Sequence, residues 1–284
     1  MIDFAFRNLI LFFKDRTAVI LSFLAEFIVV GLYILFMREN MIQTFAQVEE
    51  IELLMDTWMI AGILGITSVT TTMGAYGIMV DDKAKKITRD FSTSPIHRFS
   101  LLGGYMAGAV VIGMFMSIFL YLIASVYMLH RYQVRLRTEQ VMELYSTLFL
   151  ITVSNSSFVL FLVSFLKTSN ALASCCTILG ALIGFLTGIY LPMGNLPEGV
   201  QWLVKCFSVS HCVVLLKQIL MEPFIGENFG GVKTEEAHWF MEYMGVRFVY
   251  EGEFLTAQNS VMILIAAAMV FFLMTVVKMQ CFRE

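Results

Sequence analysis

The sequence predicts an all-α integral membrane protein with six transmembrane helices. An N-terminal interfacial helix precedes them, a basic amphipathic helix lies on the cytoplasmic face between spans 2 and 3, and a re-entrant or outer helical segment comes before span 6. Three observations predict it. Hydrophobic residues make up 58% of the chain and charged residues only 14%, against about 25% charged in a soluble domain. The mean hydropathy is +0.79. Six apolar runs of about 20 residues recur, each long enough to cross a hydrocarbon core of about 30 Å.

Residues 1–16 alternate at helical spacing: Ile2, Phe6, Leu9, Ile10 and Phe13 form an apolar face, and Arg7, Lys14 and Asp15 a polar one. This pattern suits a helix lying in the membrane interface, and it lacks the positive region and small-residue site of a cleaved signal peptide. Span 1, residues 17–37, contains Glu26. A carboxylate at mid-span is costly, so it either packs as a hydrogen-bonded acid or faces a partner, a watery cavity or a substrate. No Lys or Arg lies deep in another span to pair with it; Ser68, Thr70, Thr71 and Asn155 are the polar residues at comparable depth. An acidic loop, residues 38–56, follows. Span 2, residues 57–80, is rich in Gly, Ser and Thr, which lets helices approach closely and places it at the centre of the bundle.

Residues 81–98 read DDKAKKITRDFSTSPIHR and carry five of the 19 Lys and Arg. Ala84, Ile87 and Phe91 fall at i, i+3 and i+7, so residues 83–94 predict a short amphipathic helix with Lys85, Lys86 and Arg89 at its rim. Pro95 ends it, because proline and the residue before it both resist the helical conformation.

Span 3, residues 100–129, and span 4, residues 142–166, come next. Ser154 to Ser157 form a polar cluster within span 4 that either bonds a neighbouring helix or lines a pathway. Span 5, residues 171–191, carries Gly180, Gly184 and Gly188 at four-residue steps, a signal for close packing against another helix or a second chain. Residues 192–256 form the outer segment. Within it, 196–221 is amphipathic but interrupted by Lys205, His211 and Lys217, and so suits a re-entrant or interface-lying helix. Span 6 is residues 257–277, and all 284 residues form one transmembrane domain.

With both termini cytoplasmic, the inner segments hold 11 of the 19 Lys and Arg in 46 residues and the outer ones 8 in 95. Positive charge gathers on the cytoplasmic side, so the bias supports this topology in the plasma membrane. Arg131, Arg135 and Arg137 run against it in an outer turn. Five cysteines without paired or metal-ligand spacing predict structural thiols and no metal site.

Two stretches carry a family resemblance. Phe91, Ser92, Thr93, Ser94, Pro95, Ile96, His97 and Arg98 resemble the "TP-hydrophobic-x-R" stretch of type-2 ABC transporter permeases, with Ser94 interposed. Asn195, Leu196, Pro197, Glu198 and Trp202, with Ser208 to Gln218, resemble the family's "LP…P-x-x-Y…LR" region. There Val209 or Ser210 replaces a proline, His211 an aromatic residue and Lys217 an arginine. The order of elements is also similar to that family over the whole length.

The resemblance implies the transmembrane subunit of an ATP-driven exporter, not itself an enzyme. Two nucleotide-binding ATPase subunits would hold ATP and Mg, and this chain would pair with a second permease chain, the same or homologous. The coupling residues would be Ala84, Lys85, Lys86, Ile87, Arg89, Phe91, Pro95 and Arg98. Consistent with this, the chain has no GxxxxGK[ST] phosphate loop. Glu26, Ser68, Thr71 and Asn155 are candidates for the substrate pathway. Abundant Phe and Met suit an apolar or amphipathic cargo such as a drug, a lipid-like compound or an antimicrobial peptide, and equally suit lipid-facing helices. Nucleic acid is not an expected partner. Alternatives are an ion-coupled secondary transporter using Glu26, or a membrane scaffold or sensor subunit.

Overall fold

The computed structural model of the chain describes residues 2–87, 98–229, 235–250 and 252–281. Helices α1 (Ile2–Lys14) and α2 (Arg16–Leu32) lead through a π turn (Tyr33–Met37) into α3 (Arg38–Thr44). The central element is α4 (Ile51–Ala75), which continues past a break at Tyr76 as α5 (Gly77–Ala84). Then come α6 (Arg98–Tyr132), α7 (Thr138–Ser164), α8 (Ser169–Leu186), α9 (Glu198–Cys206), α10 (Ser208–Asn228) and α11 (Glu235–Tyr243). A two-stranded antiparallel hairpin, β1 (Val249–Tyr250) with β2 (Glu253–Phe254), precedes α12 (Ala257–Cys281).

Helices α2, α6, α7, α8 and α10 all pack around α4. Its small residues make this possible. A Cβ on Gly62 would stand 2.5 Å from Ile189, and one on Gly65 would stand 2.4 Å from Val213 of α10. The hydroxyls of Thr57, Thr67, Ser68, Thr71 and Thr72 donate to carbonyls of their own helix, which lets polar residues sit in an apolar core.

Six described helices are long and apolar enough to cross a membrane: Ile51–Ala84, Phe99–Tyr132, Thr138–Ser164, Ser169–Leu186, Ser208–Gly226 and Ala257–Met279. The expected first span, residues 17–37, is covered by α2 and the π turn that continues it, and Ser208–Gly226 lies within the expected outer segment. Lys217 and His211, which break the hydropathy of that segment, are buried and hydrogen-bonded inside the bundle. Helix α10 begins part-way along the bundle, where Cys212 meets Asn155 of α7 and Val213 meets Gly65. Amphipathic α9 leads into it, exposing Trp202 and Leu203.

The chain also departs from expectation after span 2. A single helix was expected to carry Ala84, Ile87 and Phe91 on one face, but α5 stops at Ala84 and Lys86 takes a left-handed conformation, φ +60°. The Lys85 and Lys86 amides turn back to the Asp81 and Lys83 carbonyls at 2.9 and 3.1 Å, satisfying groups a helix end leaves open. Ala84 is therefore separated from Ile87 by a turn. Arg89, Phe91 and Pro95 lie outside the described residues, and Arg98 opens α6.

The three glycines of span 5 do different jobs. Gly188 has φ +65° just past the end of α8, where glycine is the residue that adopts this geometry without strain, so the helix stops at Leu186 and not at residue 191. Gly184 is buried under the ring of Tyr190, which a Cβ would meet at 2.1 Å. Only Gly180 has open space around it.

Candidate functional site

The last turn of α5 is tied to several neighbouring helices. Asp82, 4% exposed, accepts two parallel bonds from the Arg7 guanidinium at 2.9 Å each and one from the Tyr105 hydroxyl at 2.6 Å. The paired geometry suits a guanidinium and a carboxylate. Its hydrogen bonds to Asp82 raise the pKa of Arg7 above the usual arginine value. The knot fastens α5 to α1 and α6. Local packing sets it up: Asn8 lies over Gly108, and the Phe4 ring meets Tyr105 edge-on at 4.8 Å.

Neighbouring residues extend the tie. The Lys83 ammonium donates to the Val163 and Ser164 carbonyls at the C-terminus of α7 at 3.4 and 3.3 Å, where the helix dipole favours a cation. The Ser169 hydroxyl at the start of α8 donates to Asp81 at 2.7 Å. From α12, Lys278 donates to the Ser164 hydroxyl at 3.1 Å and sits over the Phe165 ring. Within one turn of this knot, Ala84, Lys85 and Lys86 are exposed and Ile87 is half-buried. These contacts tie the exposed end to α1, α6, α7 and α8 together.

Of the pathway candidates, Ser68, Thr71 and Asn155 are fully buried. The Asn155 amide donates to the Ser68 hydroxyl at 2.6 Å, and Thr71 bonds back to the Thr67 carbonyl. These contacts join α4 to α7. Glu26 is also buried, at 4% exposed, and both its carboxyl oxygens are without a hydrogen-bond partner among the described residues. Thr67 is the polar side chain beside it, but that hydroxyl already donates to the Ile63 carbonyl at 2.8 Å. A buried polar group without partners costs about 1–3 kcal/mol. Glu26→Leu is therefore expected to raise the stability of the purified chain by a similar amount, about 1–3 kcal/mol, read as a higher melting temperature in detergent. A lower melting temperature would mean that the carboxyl is partnered.

The sequence reading assigned no architectural role to Asp56, Arg38, Asp82 or Lys217. Asp56 accepts hydrogen bonds from Tyr33, Arg38, Tyr127 and Tyr132 at 3.2, 3.0, 2.7 and 2.5 Å, and closes the opposite end of the bundle. Arg38 also reaches Glu52 at 2.8 Å. Lys217, 2% exposed, donates to the Met244 carbonyl at 2.9 Å and the Gly188 carbonyl at 3.5 Å, and lies 4.7 Å from the Trp58 ring centre. It sits where α8 and α11 end, so two sets of C-terminal carbonyls hold it. A lone cation inside an apolar helix was the available signal, the same one that singled out Glu26. Nothing local marked Asp56 or Asp82, since their partners lie up to 76 residues away.

These features define a multi-pass α-helical membrane protein with a central small-residue helix and an exposed charged turn rooted in a buried ion pair. The chain belongs to the ABC-2 type transporter family, whose model, described as ABC-2 type transporter, matches residues 4–221. It is thus a permease component of an ABC transporter, a class that works with a separate ATPase subunit. No curated protein matches the sequence.

Proposed function

We propose that this chain is the membrane half of an ATP-driven exporter in the plasma membrane, with both termini cytoplasmic. Two permease chains, identical or homologous, pair around a path for an apolar or amphipathic substrate. Residues 81–98 of each dock on one of two nucleotide-binding subunits, which hold the ATP and Mg. Closure of those subunits moves the docked segments as rigid bodies and switches the path between the two sides of the membrane. The observation that carries this reading is the Asp82 knot. The exposed turn at Ala84 to Lys86 is anchored to Arg7, Tyr105 and the end of α7, so displacement there reaches several helices at once. The excess of Lys and Arg in the same stretch supports its placement on the cytoplasmic side.

The test is purification from native membranes. A separate ATPase is expected to co-purify with the parent chain. The Ile87→Asp, Phe91→Asp double variant is expected to insert normally while losing most of the bound ATPase and its transport. A double variant that keeps both would overturn the docking assignment.

A further inference from the structure

At the Asp56 end, a cavity of about 220 Å³ opens between α4, α6, α10 and the turn that joins α6 to α7. Ile60, Leu129, Leu220 and Phe224 are among its apolar walls. Two aliphatic hydroxyls also line it, but Thr57 donates to the Leu53 carbonyl and Ser125 to the Leu122 carbonyl, each at 2.8 Å within its own helix. Most of the lining away from the mouth is apolar side chain, and a buried water needs two to four polar partners. The cavity suits hydrocarbon.

Its mouth has a different chemistry. Arg135 lines it, exposed, and has no hydrogen bond or ion pair among the described residues. By contrast, Arg131 in the same turn pairs with Glu52 at 3.1 Å. Tyr121 also lines the cavity, and its hydroxyl makes no hydrogen bond among the described residues. The level in the membrane can be read from α6. Its exposed large apolar side chains run Val111, Phe115, Phe119, Leu122, Ile123 and Val126, then give way to Tyr127, His130 and Arg131. Tyrosine and cationic side chains mark the boundary between hydrocarbon and headgroups. The cavity straddles that boundary.

We propose that this cavity is a binding site for an anionic amphiphile of the membrane, with its acyl chain against Ile60, Leu220 and Phe224 and its headgroup on Arg135. The site is independent of which substrate the permease moves. Two sources share this chemistry, a phospholipid phosphate and a fatty-acid carboxylate.

Native mass spectrometry of the purified full chain, titrated separately with dioleoyl phosphatidylglycerol, oleate and uncharged dioleoylglycerol, tests it. At least one of the two anionic amphiphiles is expected to bind about tenfold more tightly than the uncharged lipid, the gain from one charge-assisted contact. Which one does so identifies the headgroup. Arg135→Gln, a change at an exposed position, is expected to remove that preference without lowering the melting temperature. Ala124→Trp, which fills the cavity, is expected to remove the bound amphiphile. Equal retention of all three by the parent chain, or an undiminished preference in Arg135→Gln, overturns the proposal.

Discussion

Asp56→Ala is expected to destabilise the permease by about 3–5 kcal/mol, the range for removing one partner of a buried ion pair. The Asp56 carboxylate collects four donors from three separate parts of the chain: Tyr33 in the π turn, Arg38 in α3, and Tyr127 and Tyr132 in α6. Its loss leaves the buried Tyr33 hydroxyl without an acceptor and removes one of the three side-chain hydrogen bonds that hold Arg38. Glu52 still binds the other side of that guanidinium at 2.8 Å, which keeps the cost from rising further. Asp56→Asn retains an acceptor of the same shape but not the charge, so it is expected to cost less, about 1–2 kcal/mol. Thermal melting of the purified chain in detergent ranks the three proteins. Equal melting of Asp56→Ala and the parent would show that this knot does not hold the bundle closed.

The second large effect is expected on coupling and falls on Asp82. In the proposed exporter, Asp82→Ala leaves residues 84–98 free to bind the ATPase but cuts their tie to α1 and α6. ATP hydrolysis by the complex then persists while transport falls tenfold or more, a loss corresponding to about 1.4 kcal/mol or more of lost coupling free energy. A structural loss alone would lower both together. Exchanging the charges, with Arg7→Asp and Asp82→Arg in one chain, restores an ion pair between α1 and α5 and is expected to recover a substantial part of the transport. If Asp82→Ala hydrolyses ATP and transports like the parent, force does not pass through this pair. Arg7 is about one-third exposed on its side chain. The stability cost of losing the pair is accordingly smaller than at Asp56.

Much of this architecture was legible in the chain itself. Composition alone sets the class, because 58% hydrophobic and 14% charged content is too apolar for a soluble surface. The small residues of α4 marked it as central, and it is the most buried of the candidate spans, at 89%. Membership of the ABC-2 type transporter family was legible from the order of elements and two short motifs. What hydropathy did not record is how the polar residues of the expected re-entrant or interface-lying segment are satisfied: Lys217 and His211 are buried, and carbonyls at 2.9 Å partner both. Arg131, which argued against the expected topology, is held by Glu52 from the acidic segment.

Hydropathy, charge bias and small-residue content are sums over neighbouring residues, so the sequence by itself determined the helical membrane class, the charged stretch after span 2 and the family. The paired partners were decided only in three dimensions. Arg7 and Asp82 stand 75 residues apart, Tyr132 and Asp56 76, and Asn155 and Ser68 87. Each pair forms because helix packing brings two side chains within about 3 Å, a distance over which a hydrogen bond acts and which no local pattern records. The same reason explains the glycines of span 5. Identical in spacing, they differ because one meets Tyr190, one turns the chain at φ +65°, and one faces open space.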